Sequence, residues 1–288
     1  MNVRILEMLD IQLVDYHDVN HMESRAVRIL FLGDIVGKAG RDVVSQKLPE
    51  LIRNFSIDFV IANGENAAAG RGITGPIQAE LLSAGVDVVT LGNHAFARET
   101  SFEWFDQEQR VLRPVNFPVG VPGRGFGLYR AKSGAIVGVI NAIGRVHMSP
   151  ADCPFAGTER AIESIRSKAA VTIIDMHAEV TSEKAALAWS LDGRVTAVIG
   201  THTHVQTSDA RLLPSGTAFL TDVGMCGVRD SILGQDVTGC VQRMKSGYGP
   251  HVPLADGPAQ LHAVIIDCDV TTGLATGINA ITYPEVVH

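Results

Sequence analysis

Residues 27–94 read VRILFLGDIVGKAGRDVVSQKLPELIRNFSIDFVIANGENAAAGRGITGPIQAELLSAGVDVVTLGNH, and one structural phrase begins three times within them. VRILFLG (27–33) is a short, β-rich apolar run that closes on Gly33-Asp34. Residues 40–54 then set Val43, Val44, Leu48, Leu51 and Ile52 at helical spacing. IDFVIAN (57–63) is the next strand and ends in Gly64-Glu65-Asn66. Gly70, Gly72 and Gly75 mark a loop before a helix expected from about Pro76. VDVVTLG (86–92) is a third strand, ending at Asn93-His94. Apolar strands alternating with helices predict an α/β architecture whose sheet faces are covered.

The second half repeats the pattern less regularly. Strands are expected at 135–143, 171–177, 195–200, 217–224 and 261–270. Helices are expected at 158–170, with Thr158 as N-cap, and at 181–191. The tail predicts a final hairpin turning near Thr272-Gly273. No long polar linker divides the halves, so residues 26–288 are read as a single domain. Residues 234–260 are rich in Gly and Pro and carry Arg243, Lys245, Tyr248 and His251. A loop of that length is a lid or specificity element, or else a solvated connection.

Composition narrows the function classes. The chain has 288 residues, 46% apolar and 19% charged, with a formal net charge of −7. That is too apolar for a disordered chain. An acidic balance argues against an extended nucleic-acid surface, although a small phosphorylated ligand needs only local positive charge. Residues 1–25 hold two basic and five acidic groups and lack the basic start and unbroken apolar stretch of a signal peptide. They read as an N-terminal extension of uncertain structure. No run long enough for a membrane span is present. Cys153, Cys226, Cys240 and Cys268 show no CxxC spacing, so reduced thiols and a cytoplasmic location are expected.

Function is written at the strand ends. Asp34 follows the first strand, Glu65 and Asn66 the second, and Asn93 and His94 the third. His177 closes a later strand, and His202 and His204 follow another. Asp34 and Glu65 are 31 positions apart and Glu65 and Asn93 are 28, each about one βαβ unit of roughly 30 residues. Ligands of α/β sheets gather outside the carboxyl ends of strands, so these residues are expected to meet. Taken singly, each has an ordinary explanation: a turn, a helix cap or a hydrogen-bonded core histidine. Together, carboxylates, imidazoles and amide oxygens suit Fe, Mn or Zn, and one bridging carboxylate can join two such ions. A nucleotide-binding P-loop fails on spacing, because Gly33 to Lys38 lacks both GxxxxGK and a following hydroxyl.

The motifs GDIVG (33–37), NGEN (63–66), GNH (92–94), MHAE (176–179) and GTHTH (200–204) resemble those of the calcineurin-like metallophosphoesterases. Two departures stand out. The usual Asp-x-His is Asp34-Ile35-Val36 here, and the bridging acid is Glu65 with Asn66 beside it. Those departures, with FLGDIVGKAGR, ANGENAAAGRGIT, TLGNHAF and TDVGMCG, resemble the YmdB-like branch over residues 27–288. The resemblance implies a layered sandwich of two packed mixed β-sheets flanked by helices. It also implies two metal ions, Fe first and Mn as the alternative. One would be held by Asp34, Glu65, Asn66 and His204, the other by Glu65, Asn93, His177 and His202. His94 matches the family's proton donor, but Ala95 stands where the superfamily often has the Asp that orients that ring.

The implied activity is a dinuclear phosphodiesterase that hydrolyses 2′,3′-cyclic nucleotides by attack of a metal-bound hydroxide. A phosphomonoesterase or nucleotidase on the same site is one alternative, and a nucleotide-sensing regulatory protein is another. Arg71 and Arg145 are phosphate-contact candidates, while His147 and His251 read as surface or core residues, with approach to the substrate as the alternative. Oligomeric state is not legible, although the resemblance admits a homo-oligomer.

Overall fold

Alternation along the first strand, Ala26–Leu32 (β1), divides its side chains between two cores: Ile29 and Phe31 on one face, Leu30 and Leu32 on the other. The computed structural model describes residues 26–98 and 102–284, so the extension expected at 1–25 lies outside the described residues. After β1 come β2 (Asp34–Ile35), α1 (Gly37–Asn54), β3 (Phe59–Asn63), α2 (Gly75–Ala84) and β4 (Val88–Thr90). They are followed by α3 (Phe102–Gln107), β5 (Val111–Leu112), β6 (Phe126–Arg130), β7 (Ile136–Ile143), α4 (Pro154–Ile165) and β8 (Val171–His177). The chain continues through α5 (Thr181–Ser190), β9 (Ala197–Thr201), β10 (Arg211–Leu212), β11 (Ala218–Leu220) and β12 (Met225–Val228). It closes with α6 (Val237–Ser246), β13 (Ala259–Asp269) and β14 (Leu274–Tyr283).

Two mixed sheets result. One runs β2–β12–β13–β1–β3–β4–β5, with β14 also paired to β13; the other runs β10–β11–β9–β8–β7–β6. Strands β1, β3, β4 and β5 are mutually parallel, as are β7, β8, β9 and β11. Their carboxyl ends therefore open on one edge. The sheets pack face to face through Ile29, Phe31 and Ile61 from the first and Val139, Ile173 and Ile199 from the second. Val44 and Leu48 of α1 and Leu81 of α2 cover the outer face of the first sheet. Ile162 and Ile165 of α4 and Leu187 of α5 cover that of the second. This is the helix-flanked, two-sheet sandwich expected from the motifs.

Several boundaries move. The helix expected at 158–170 begins at Pro154, because proline at the first helical position has no N–H to leave unsatisfied. Thr158 lies inside that helix, its hydroxyl donating to the Pro154 carbonyl at 2.8 Å, so it is not the cap. The strand expected at 86–92 contracts to Val88–Thr90, and that at 217–224 to Ala218–Leu220 with a new strand at Met225–Val228. Residues 234–260 are not an open loop: they contain α6, capped by the Asp236 side chain, which accepts from Gly239 N at 2.7 Å. The hairpin turn at Thr272-Gly273 stands as expected, between β13 and β14. The four cysteines are free. Among the described residues, no helix is long and apolar enough to cross a membrane.

One buried ion pair ties α5 to the turn after β11. Lys184 Nζ donates to Asp222 Oδ2 at 2.7 Å, and neither side chain reaches solvent. Asp222 also accepts from Thr203 N at 3.0 Å, Thr203 Oγ1 at 2.7 Å and Gly224 N at 2.8 Å. It thereby anchors the turn that carries His202 and His204.

Replacing Lys184 with Met leaves this carboxylate buried without its counter-charge, a loss of about 3–5 kcal/mol. Urea denaturation of the two proteins measures it, and an unchanged midpoint would contradict the assignment. A second expectation concerns His262 on β13, whose Nδ1 accepts from Met225 N at 3.3 Å. Burial lowers its pKa below the ordinary 6.5, with Asp222 opposing. The unfolded chain therefore takes up the proton first as pH falls. The contribution of neutral His262 is complete above about pH 6.5 and declines below it. Urea midpoints on the two sides of that pH are expected to diverge more for the wild type than for His262→Gln.

Candidate metal centre

The strand ends bring the predicted residues together. In the first sheet, Asp34 opens β2, Glu65 and Asn66 follow β3, and Asn93 and His94 follow β4. In the second, His177 ends β8, and His202 and His204 follow β9. Asn63, the last residue of β3, turns its Oδ1 back to accept from Glu65 N at 3.1 Å, which shapes the turn. His202 and His204 both lie in the left-handed region, with φ of 98° and 64°. Such backbone is strained for residues other than glycine and persists only where its surroundings hold it. Here the hold comes from Asp222 on Thr203 and from Asp34 Oδ2, which accepts from His202 N at 3.0 Å.

Three ligand atoms converge on a fourth, His177 Nε2. That nitrogen lies 3.0 Å from Glu65 Oε1, 3.1 Å from Asn93 Oδ1 and 3.0 Å from His202 Nδ1. One ligand atom each from Glu65, His177 and His202 falls within 4.8 Å of the others. A second, wider group adjoins it: His204 Nε2 is 3.2 Å from Asn66 Oδ1 and 3.9 Å from Asp34 Oδ1. His94 stands at the edge, its side chain 25% exposed. Its backbone N–H donates to Glu65 Oε2 at 3.0 Å and its Nδ1 lies 3.3 Å from Glu65 Oε1. Glu65 thus orients the ring that Ala95 cannot.

A hydrogen-bond relay behind the centre fixes the His177 tautomer. Thr201 Oγ1 donates to Asp175 Oδ1 at 2.7 Å, so its lone pair receives the His177 Nδ1–H at 2.8 Å. Asp175 Oδ2 is held in turn by Thr90 Oγ1 at 2.5 Å and Asn63 Nδ2 at 3.0 Å. With Nδ1–H so engaged, His177 turns its Nε2 toward a carboxylate oxygen, an amide oxygen and another imidazole, and loss of the proton there frees a lone pair for a metal ion. Acceptors gathered so closely require a cation among them.

The charges around His177 hold a second proton on the ring until a metal ion replaces it. Burial alone would suppress the charged form of His177, but Glu65, Asp34 and Asp175 outweigh it and raise its pKa to about 9. Burial likewise pushes Glu65 up, yet His177 and His94 hold it well below the ordinary carboxylate value. Asp34 is pushed up to about 6 by burial, with His204 and His177 opposing. His202 is pushed down to about 3 by burial and by His177, which keeps one of its ring nitrogens unprotonated. Asp34 Oδ1 is buried with no hydrogen-bond partner. Negative charge that retains a proton on His177 also attracts a metal ion, which competes for the same lone pairs. The orphaned oxygen and this donor set fit a first-row metal.

Arg71, Arg145, His147 and His251 are not drawn into this cluster. Arg71, Arg145, His147 and His251 sit on the surface, with Arg145 and His147 on the loop leaving β7, where Gly144 N donates to His177 O at 2.9 Å. Sequence reasoning missed Thr90, Asp175, Thr201, Lys184 and Asp222. The available signal was a carboxylate in an apolar strand two positions before a histidine, in VTIIDMH. The lysine and its partner, far apart in sequence, left no such mark.

Comparison with known proteins follows the same lines. The model of the family described as YmdB-like protein matches residues 30–281. A protein of Bacillus subtilis named 2′,3′-cyclic-nucleotide 2′-phosphodiesterase is 44% identical over 255 residues, which span 88% of this chain and 96% of that one. A crystal structure of a hypothetical protein from Thermus thermophilus superposes with a TM-score of 0.83 at 40% identity, covering 89% of this chain and 99% of that one. One from Mycoplasma pneumoniae, titled a novel phosphatase, gives 0.84 at 32% identity, covering 91% and 94%.

Gly92 permits the close approach of the donors, because a Cβ there would lie 2.2 Å from His177 Nε2 and 2.4 Å from Glu65 Oε2. Gly92→Ala is expected to cost about 1–3 kcal/mol from overpacking and to abolish metal uptake. Elemental analysis together with thermal unfolding checks both effects; full metal content in a folded variant would contradict the geometry.

Proposed function

Because the chain belongs to the YmdB-like family, we propose that it is a dinuclear metal-dependent phosphodiesterase that hydrolyses 2′,3′-cyclic nucleotides such as 2′,3′-cAMP. The observation that carries this is the convergence of Glu65 Oε1, Asn93 Oδ1 and His202 Nδ1 within 3.1 Å of His177 Nε2. The substrate class rests on the Bacillus subtilis relative, matched across 96% of its length. Asp34, Glu65, Asn66 and His204 hold one ion, and Glu65, Asn93, His177 and His202 hold the other. Fe is the first candidate and Mn the second. Residues 26–288 act as one unit, since the donors come from both sheets, and the protein works in the cytoplasm.

Bound metal ions supply positive charge for the phosphate oxygens and acidify the attacking water. The chain's own contribution is placement. Asn66, a neutral amide, takes the position left without a histidine. The two carboxylates leave net positive charge for an anionic phosphodiester. His94 supplies the proton for the departing ribose oxygen. Its Nδ1 lies toward Glu65 and its Nε2 lies 3.3 Å from Asn93 Nδ2, which sets the ring beside the ligands of both ions.

His94→Ala is expected to lower turnover of 2′,3′-cAMP by about 10²–10⁴-fold while metal content persists. A p-nitrophenyl diester, whose leaving group departs without protonation, is expected to lose far less. Loss of metal in that variant would make His94 a ligand. Preference for p-nitrophenyl monoesters over diesters would favour the phosphatase reading that the name of the Mycoplasma pneumoniae protein carries.

A further inference from the structure

Each histidine of the centre has one ring nitrogen turned inward, and the neighbour of the other nitrogen decides whether the inward one carries a lone pair. For His177 that neighbour is Thr201, backed by Asp175. For His204 it is the Leu233 carbonyl, 3.1 Å from Nδ1, which accepts an N–H there and leaves Nε2 free. His202 is the third. Its Nδ1 faces His177 Nε2 at 3.0 Å, and its Nε2 lies 3.1 Å from Glu179 Oε2.

A neutral imidazole owns one N–H, and an ionised carboxylate only accepts. The hydrogen therefore sits on Nε2, toward Glu179, and Nδ1 is left as the ligand atom. We propose that Glu179 is a positioning residue that fixes His202 in its Nε2–H tautomer and aims Nδ1 at the metal centre. The proposal rests on reading this site as a metal centre. Glu179 stands two residues beyond His177, between the end of β8 and the start of α5. One strand end thus supplies a ligand and the support for its neighbour. The support is needed because His202 sits on left-handed backbone, in a turn that leaves its ring 20% exposed. Packing edge-on against the His177 ring, with centroids 4.7 Å apart, sets the tilt of the ring but not which nitrogen is protonated. Glu179 is itself half exposed, so its replacement leaves no buried void.

The test uses the full chain, stripped of metal and titrated with Mn²⁺ or Co²⁺. Glu179→Ala is expected to weaken one of two binding equivalents by about 10–100-fold. Glu179→Gln, whose amide oxygen still accepts, is expected to recover most of that loss. In a His202→Ala background, removing Glu179 is expected to change nothing further. Ring-nitrogen NMR of the metal-free protein gives an independent readout: His202, assigned by its absence in His202→Ala, is expected as the Nε2–H form and as a mixture in Glu179→Ala. Unchanged metal affinity with an unchanged tautomer would overturn the proposal. So would a further loss of affinity on the His202→Ala background, or a fall in turnover at full metal affinity. A wild-type chain that binds no metal would sink the metal-centre reading instead, and the NMR tautomer would then judge Glu179 alone.

Discussion

Ligand atoms that crowd together in a buried space are the constraint on which this molecule is arranged. Glu65 Oε1, Asn93 Oδ1, His177 Nε2 and His202 Nδ1 crowd together. Asp34 adds a buried oxygen that no donor reaches. In an apolar interior such an arrangement is strongly unfavourable unless positive charge meets it. The sandwich exists in a form that tolerates the arrangement, because rigid parallel strands deliver each donor from a well-packed core. Around the donors runs a ring of hydrogen bonds from Asp175, Thr201, Asp222 and Leu233 that keeps each side chain from turning away.

Backbone geometry follows from the same requirement. On an extended strand His202 and His204 would share one face in parallel, whereas here His202 meets His177 and Glu179 and His204 meets Asn66. The turn after β9 parts them with left-handed φ at His202 and His204, an arrangement that costs of order 1–3 kcal/mol per residue. The Lys184–Asp222 pair beneath the turn offsets part of that cost by pinning Thr203 in place.

Much of this was legible in the sequence, and for physical reasons. Apolar β-rich runs spaced about one βαβ unit apart can hardly be anything but parallel strands, so the α/β class followed from residues 27–94. The polar residues that end those runs have no place in a core, so the inner donors could be picked out one by one. The supporting residues could not. Thr90, Asp175 and Thr201 lie within strands and look like ordinary occupants of them, and their role depends on a lateral register that sequence does not display. Thr158 misled for a related reason: its capping preference is real, but Pro154 four residues earlier starts the helix first. The helix inside residues 234–260 was hidden by flanking glycines and prolines, which outweighed its short apolar period.

The donors belong to two different layers. Asp34, Glu65, Asn66 and Asn93 rise from one sheet, and His177, His202 and His204 from the other. Elsewhere the layers meet through apolar side chains such as Phe31, Phe59, Val139 and Ile173, whose contacts have no preferred direction. The bonds at the open edge add one. The reactive end of the protein is therefore also its clasp, and a relative slide of the two layers would disturb the chemistry before it disturbed the core.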